Sequence, residues 1–293
     1  MIKDRVKRGV AAIVSIDAIL SDLQLGTFTV SVYLLLYHSL FLSAVLFNSQ
    51  AWSNLSKKDI DDLQKCQLKM LKKILGVARS TSNAYTFLEL GVLPISYEIH
   101  KRQISFLHHI VNLPDNDPVK KMYENMKKLP GEKNWYNCVT RLLENYKISL
   151  SEDQIKNLSK DAFKRNVKKA VTQIALLNLQ DECSKQKKTS SLVYTKLQAQ
   201  EYLSQMYPWQ SRLISRCRSK TLDIKMHQKF KYKDTLCRWC NLHDETLDHI
   251  LRCGEGPIDH VDLSTLEDID AATKIKVTRM TYRIQEFIDK VDY

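Results

Sequence analysis

The sequence predicts an all-α protein, a multi-helix bundle with a small metal-binding knuckle near its C-terminus. Glycine and proline are scarce among the 293 residues, at 7 and 6, whereas an all-β chain needs many tight turns. Apolar residues recur at helical spacing through most of the chain. Apolar residues make up 44 % and charged residues 27 %, so we expect a globular rather than a disordered protein.

The first fifty residues contain two apolar stretches that need an explanation. The N-terminus is basic and then apolar, but Asp17 interrupts the apolar run and no cleavage site follows, so we expect no signal peptide. The stretch Val30–Phe47 is long enough to span a membrane. Its tyrosines, histidine and serines favour a fully buried helix in a soluble core instead.

The pattern of cysteines and apolar residues predicts where the protein resides. The seven cysteines are irregularly spaced, which is not typical of an extracellular disulfide framework. We therefore expect an intracellular protein, in the nucleus and/or the cytoplasm. We also expect no membrane partner, and a monomer rather than an oligomer.

Caps and breakers delimit the helices of the first half. Ser56 and Asp59 form a capping-box pattern, and Gly76 suits the position just after the end of that helix. A second helix is predicted over 95–111. The segment 113–118, "LPDNDP", breaks the helical pattern and marks the best candidate domain boundary.

Three further helices and a linker are predicted after that boundary. Helices cover about 135–146 and 151–158, a longer one begins near Ser159, and a polar basic linker occupies 184–191. The longer helix is expected to bury Phe163, Val167, Ala170, Ile174 and Leu177.

The last helix is predicted to open with a capping box over Ser264–Glu267 and to run to about Val291. An apolar stripe indicates that it docks on the body of the protein rather than forming a coiled coil. The stripe consists of Val277, Met280, Ile284, Phe287 and Val291.

Charge is distributed unevenly, and the basic excess lies in the middle of the chain. The formal net charge is +12. Residues 101–253 carry 29 basic and 16 acidic side chains, a net +13, whereas residues 254–293 carry 5 and 9, a net −4. Such a field attracts polyanions such as nucleic acid, although a solvated lysine-rich face is the simpler explanation.

The stretch "TLCRWCNLHDETLDHILRC" contains the strongest chemical motif. Its cysteines and histidine follow the pattern Cys237-x2-Cys240-x8-His249-x3-Cys253. The cysteine pair suits a tight turn, and residues four apart lie on one face of a helix. Together they predict a closed structural Zn²⁺ site. His243 could replace His249, but it lacks that helical spacing.

A cationic segment with interleaved aromatic side chains precedes this motif and predicts nucleic-acid binding. Lysine and arginine neutralise phosphates, and aromatic faces stack on unpaired bases. Trp239, between two metal ligands, is the leading stacking candidate, with packing against Leu247 or Ile250 as the alternative. The candidate contacts are Arg212, Arg216, Arg218, Lys220, Lys225, Lys229, Phe230, Lys231, Tyr232, Lys233 and Trp239, together with Lys65, Lys69 and Lys73 on the helix that begins at Ser56.

Several segments resemble the C-terminal region of non-LTR retrotransposon reverse transcriptases. The segments "NSQAWSNL", "LELGVLPI" and "LHHI" resemble the thumb and the linker that follows it. The stretch from "RSKTLDIKMHQKFKYKD" to Cys253 is similar to the basic segment and CCHC knuckle of that family. The resemblance implies a thumb-like region over 1–112, a basic helical linker over 113–206, a basic segment with a zinc knuckle over 207–253, and an acidic helix over 254–293.

The chain also departs from that family in a way that bears on activity. The F/Y-x-D-D motif of the polymerase and a nuclease motif are both missing from the sequence. We therefore expect a noncatalytic fragment that binds element RNA or target DNA and, in the full element, supports target-primed reverse transcription. The alternative is a zinc-stabilised helical structural or protein-interaction module that binds no nucleic acid.

Overall fold

The computed structural model describes residues 2–22, 30–129, 133–253, 261–264, 266 and 269–291. Within these ranges the secondary structure is helical and contains no strand, which confirms the all-α prediction. The α-helices are α1 Ile2–Asp22, α2 Val30–Leu36, α3 Leu42–Val45, α4 Lys57–Leu75, α5 Asn83–Leu90, α6 Ile95–Val111, α7 Pro118–Lys128, α8 Trp135–Asn145, α9 Glu152–Asn157, α10 Lys160–Ser184, α11 Tyr202–Gln205, α12 Pro208–Arg218, α13 Leu247–Arg252 and α14 Ala271–Val291.

The chain divides into two compact units whose segments interleave along the sequence. The first unit consists of residues 1–19, 37–67 and 93–178, and the second of residues 20–36, 68–92 and 179–293. The predicted boundary at 113–118 separates α6 from α7 but lies inside the first unit. No described helix is both long and apolar enough to cross a membrane.

Helix α6 forms the centre of the first unit and packs against α7, α8 and α9. Gln67 is a polar residue at an apolar position of α4, and its hydrogen bonds explain why it is tolerated there. Its side chain is fully buried, donates to the Tyr37 hydroxyl at 2.7 Å and the Leu93 carbonyl at 2.8 Å, and accepts from the Ile95 amide at 2.9 Å. The amide thus satisfies an otherwise unpaired N–H in the first turn of α6.

The predicted ends of α4 are confirmed. The Asp59 amide donates to the Ser56 hydroxyl at 3.1 Å, and the Ser56 amide donates to the Asp59 carboxylate at 3.1 Å, which makes a capping box. After α4, Gly76 takes a left-handed φ of 65°. Local sequence therefore determines where this helix begins and ends.

The stretch Val30–Phe47 is not the single, fully buried helix that its composition predicts. It is divided into α2, a π-helical turn over Tyr37–Phe41, and α3. The wider turn lets the fully buried rings of Tyr37 and Phe41 stack with centroids 5.5 Å apart. Three apolar side chains of the stretch are exposed: Leu35, Leu40 and Phe47.

Helix α10 buries Phe163 and Val167 as predicted, but the predicted Ala170 and Ile174 are only half-buried. Leu177 is 62 % exposed, while the buried positions recur every four residues, namely Phe163, Val167, Val171, Ala175, Leu179 and Cys183. A spacing of four drifts by about 40° per step around an α-helix, so the buried stripe winds along the surface. The predicted 3-4 alternation follows a straight stripe and therefore diverges after Val167. The basic segment 184–191 that follows is a series of turns, with Thr189 buried against Cys183.

The second unit is built around a buried carboxylate on α5. Glu89 and Arg218 are both fully buried, and Arg218 donates to the carboxylate through Nε at 2.7 Å and Nη2 at 3.2 Å. The hydroxyls of Tyr194 and Tyr202 also donate to it, the former at 2.6 Å. The buried charge is therefore paired and its lone pairs are occupied, as a charge in a low-dielectric interior requires.

Gly91 permits the chain that carries Tyr194 and Tyr202 to approach the end of α5. It has a left-handed φ of 63°, and a Cβ there would lie 2.1 Å from the carbonyl carbon of Gln198. The clash could not be relieved by moving a side chain, because the neighbouring atoms belong to the backbone. A glycine is thus required where the segment after α10 passes α5.

Helix α14 docks on α12 and α13, as the apolar stripe predicts. Val277, Met280, Ile284 and Phe287 are buried, while Val291 is half-buried. The helix begins at Ala271 rather than near Ser264, because the Asp270 carboxylate accepts from the Thr273 amide at 2.7 Å and caps it there. Glu267, the partner in the predicted capping box, lies outside the described residues.

We expect Glu89→Ala to lower the free energy of unfolding by about 3–5 kcal/mol, because it leaves the Arg218 charge buried without a partner. Chemical denaturation would measure this change. The exposed Glu182 of the same unit provides a control, and Glu182→Ala should have an effect within about 0.5 kcal/mol. Replacing both partners, with Glu89→Leu and Arg218→Met, should cost less than the sum of the single changes. A fully additive double variant would contradict the ion-pair interpretation.

Candidate metal centre

Two cysteines of the predicted site lie in a tight turn. An isolated antiparallel bridge between Leu236 and Asp244 closes the base of this loop. The Cys237 amide donates to the His243 carbonyl at 2.7 Å, and the Asn241 amide donates to the Cys237 carbonyl at 2.8 Å. Asn241 takes a left-handed φ of 54°, a conformation that asparagine adopts more readily than most side chains. The turn presents both thiols on one side.

The other two candidate ligands come from α13 and its C-terminal cap. Thr246 caps this helix, since its hydroxyl accepts from the His249 amide at 3.0 Å. His249 and Cys253 are four residues apart, so both side chains project from one face of the helical turn. Acidic residues favour a helix N-terminus, and Asp244 and Glu245 directly precede this cap.

The structure brings together the predicted quartet. Cys237, Cys240, His249 and Cys253 place one donor atom each within 4.8 Å of one another. The Sγ atoms of Cys237 and Cys253 are 4.0 Å apart, and Cys240 Sγ lies 3.2 Å from His249 Nε2. Donors around a tetrahedral ion with Zn–S near 2.3 Å would be about 3.5–3.8 Å apart. The quartet could therefore hold a metal ion of that size.

His243 does not belong to this quartet. Its exposed ring lies with its centroid 5.3 Å from that of His249, and the cluster of donor atoms forms without it. The helical spacing between His249 and Cys253 thus distinguished the two histidines correctly.

The protonation of the cluster without metal differs from one thiol to the next. Backbone N–H groups of Leu242 and His243 lower the pKa of Cys240. Burial and the neighbouring thiols raise the pKa of Cys253 to about 12, and burial lowers the pKa of His249. A metal ion must displace the thiol protons, so its binding weakens as the pH falls.

A buried carboxylate that sequence reasoning missed holds the loop of the metal cluster in place. Glu245 is fully buried and accepts from the amides of Lys225 and Arg238, each at 2.9 Å. The Arg238 guanidinium pairs with it at 2.7 Å. One carboxylate thus joins the segment before the cluster to the Cys237–Cys240 turn. The local signal for a buried acid was weak, because "HDETLDH" contains three carboxylates.

Trp239 packs within the protein on a partner that was not anticipated. Its ring meets Phe287 of α14 edge to face, with centroids 5.2 Å apart. The Lys290 ammonium lies over the same ring at 5.1 Å and the Arg283 guanidinium at 5.9 Å. Helix α14, rather than Leu247 or Ile250 of the knuckle's own helix, therefore provides the aromatic contact. Because the Trp239 ring is half-buried and flanked by two cations, it is not free to stack on a base. Trp239 is therefore no longer the leading stacking candidate.

Two of the cations predicted to contact nucleic acid are used inside the protein. Arg218 is buried against Glu89, and the buried Lys225 pairs with Asp234 at 2.6 Å. Arg218 and Lys225 were predicted to contact nucleic acid, and the structure removes them from that set, because each already has a carboxylate partner. Arg216, although exposed, donates to the Gly76 carbonyl at 2.7 Å. The half-buried Arg212 packs beside the same glycine.

The rest of the cationic segment remains at the surface. Phe230 is 80 % exposed, between Lys229 and Lys231. Lys231 and the Tyr232 hydroxyl both contact Asp223, at 3.3 and 3.1 Å. The exposed cations of this segment are Lys220, Lys229, Lys231 and Lys233.

The lysines predicted on α4 are exposed at every fourth residue. Lys65 lies 3.6 Å from Asp62, so part of its charge is balanced locally. Lys65 belongs to the first unit, whereas Lys69 and Lys73 belong to the second. They form a solvated row, and nothing in their own contacts singles them out as a binding site.

Comparison with protein-family models, with curated proteins and with solved structures finds no match to this chain.

The packing of Trp239 predicts that α14 stabilises the metal centre. We expect Phe287→Ala to destabilise the protein by about 3–5 kcal/mol and to shift the indole N–H resonance of Trp239. Tyr282 lies on the same helix but is 58 % exposed, so Tyr282→Ala is the matched control and should change stability by less than about 1 kcal/mol. Denaturation and NMR spectra of the variants would measure both effects. Equal losses of stability in the two variants would contradict the proposal that α14 stabilises the metal centre.

Proposed function

We propose that this chain is a noncatalytic nucleic-acid-binding module, the C-terminal portion of a non-LTR retrotransposon reverse transcriptase. The observation that carries the proposal is the metal-competent quartet directly following an exposed cationic segment. Glu245 joins that segment to the loop of the cluster, since it accepts from both Lys225 and Arg238. Residues 229–233 of this segment, which we call the cationic loop, are therefore anchored beside the quartet. Such a loop suits an extended polyanion such as element RNA or target DNA.

Zinc is the metal that suits the quartet best. Three thiolates and one imidazole are soft and borderline ligands, which favour Zn²⁺ over the oxygen-seeking Mg²⁺ and Ca²⁺. Four protein donors complete a tetrahedron and leave no open position for a substrate. The ion would therefore cross-link the Cys237–Cys240 turn to α13 and have no catalytic role.

The cationic loop provides the phosphate contacts in this proposal. Lys229 and Lys233 are exposed and make no ion pair with any described residue, so their charges remain available. Phe230 projects between two lysines, where its ring can stack on an unpaired base. The structure thus favours Phe230 over Trp239 as the stacking residue. Single-stranded regions and junctions are the expected ligands.

A second candidate function is a zinc-stabilised structural or protein-interaction module. One observation favours it, namely that Arg218, Lys225 and Arg238 each have an internal carboxylate partner. Three of the basic side chains of residues 101–253 therefore have structural partners. This candidate requires no affinity for nucleic acid.

We expect the purified chain to contain one Zn²⁺ and Cys240→Ser to lose most of it, because three remaining donors hold the ion less tightly. Cys138 is the half-buried cysteine outside the quartet, so Cys138→Ser is the matched control and should retain the metal. Elemental analysis of both variants after dialysis would measure zinc content. Equal zinc in the two variants would refute the ligand assignment.

The cationic loop predicts a steep dependence of nucleic-acid affinity on salt. Lys229→Ala combined with Lys233→Ala should weaken binding and reduce the slope of log K against log salt concentration by roughly one unit per lost phosphate contact. Phe230→Ala should weaken binding to single strands by about 1–3 kcal/mol and leave the slope unchanged. Fluorescence anisotropy titrations at several salt concentrations would measure these effects.

The control for that experiment removes two exposed lysines elsewhere. Lys121 and Lys156 are exposed on α7 and α9, so the double change to alanine lowers the net charge equally without touching the loop. This control variant should keep the slope of the unmodified protein. A loop variant that retains affinity and slope would leave the structural module as the better function.

A further inference from the structure

The first unit contains a cavity that the proposed zinc and cationic-loop functions do not use. Its volume is about 310 Å³, at the lower end of the range for small-molecule sites. The loop before α4, the first half of α6 and the start of α8 line it. Asn54 joins two of these segments, since its left-handed backbone directs the amide to the Lys133 carbonyl at 2.5 Å.

The charge of this cavity is one-sided. Lys133 and Arg141 line it, and its described lining residues include no aspartate or glutamate. Both side chains are exposed, and neither makes an ion pair or a side-chain hydrogen bond with any described residue. This differs from Arg218 and Arg238, each of which binds a carboxylate of the same unit. A guanidinium without a partner at the wall of a cavity can bind a phosphate in a bidentate manner.

The other side chains that line the cavity are uncharged, and several of them are apolar. Trp52, Ile60 and Ile99 line it together with the His100 ring. The His100 Nδ1 atom lies 2.8 Å from the Tyr146 hydroxyl, which fixes the orientation of the ring. Burial lowers the pKa of His100 to about 4, so the imidazole is neutral near pH 7 and offers one hydrogen-bonding nitrogen rather than a charge.

We propose that this cavity binds a single unpaired nucleotide, with its phosphate on Arg141 and Lys133 and its base against the apolar wall of Trp52 and Ile99. The cations match the one charged group of a nucleotide, and the volume admits one nucleotide but no duplex. That the nucleotide belongs to a longer strand rests on the proposed function. The cavity itself does not, because a free nucleoside monophosphate has the same chemistry.

Cys138 provides a reporter for occupancy. It lines the cavity and is half-buried, whereas Cys66, Cys183 and Cys217 are buried and the other three cysteines belong to the quartet with His249. In the zinc-loaded protein, iodoacetamide should therefore modify Cys138 selectively. The rate, followed by peptide mass spectrometry, should fall about tenfold when AMP or UMP fills the cavity.

Variants of two arginines test whether the phosphate contact is the one proposed. Arg141→Gln should weaken mononucleotide binding by about tenfold, the effect of losing one charge-assisted pair. Arg165 is exposed on α10 of the same unit and outside the cavity, so Arg165→Gln is the matched control and should bind as the unmodified protein does. Isothermal titration with AMP and UMP would measure both affinities.

Further ligands distinguish a free nucleotide from a strand, and the cavity proposal from the proposed function. Inorganic phosphate at equal concentration should protect Cys138 poorly, and equal protection would overturn the assignment of a nucleotide. A single-stranded oligonucleotide that protects Cys138 would support a strand as the source. Binding of that oligonucleotide through the cationic loop, without protection by any nucleotide, would overturn the cavity proposal and leave the proposed function intact. Protection by AMP without any oligonucleotide binding would support the cavity and remove the proposed function.

Discussion

The second unit depends on one buried charge, the carboxylate of Glu89. An ionised carboxylate in a protein interior is stable only when cations and donors surround it, so its environment is tightly constrained. Arg218 at the end of α12 and the hydroxyls of Tyr194 and Tyr202 meet this requirement. The segment after α10 and helix α12 are therefore held against α5. Because Gly91 has no side chain, the segment after α10 can pass close to the end of α5.

Glu245 repeats the same principle beside the metal quartet. It is buried, paired with Arg238, and bound by the Lys225 amide, so the loop keeps a defined base. Both carboxylates use cations that a charge count assigns to the surface. The number of basic side chains in residues 101–253 thus overstates how many cations a polyanion would meet. The cations that remain available are those without a partner, above all Lys229 and Lys233 in the second unit and Arg141 in the first.

Much of the fold follows from local sequence signals, and its departures have physical causes. The capping box at Ser56 was predicted correctly because each end of a helix needs partners within a few residues. Predictions failed where burial depends on distant elements. The buried stripe of α10 winds around the helix, and the apolar run after Val30 is broken by a π turn that no residue pattern marks. Trp239 contacts Phe287, 48 positions further along the chain.

The sequence by itself determined the helical class, the ends of several helices and the metal quartet. Each rests on short-range geometry, since the Cys237–Cys240 and His249–Cys253 spacings and the Ser56 cap lie within one or two turns of backbone. Only the tertiary structure decided which cations are free, which aromatic ring is exposed, and that Arg141 faces a cavity lined by residues of α6. Glu89 and Arg218 are 129 positions apart. Pairing over such a distance results from packing of the whole unit, and no local spacing encodes it.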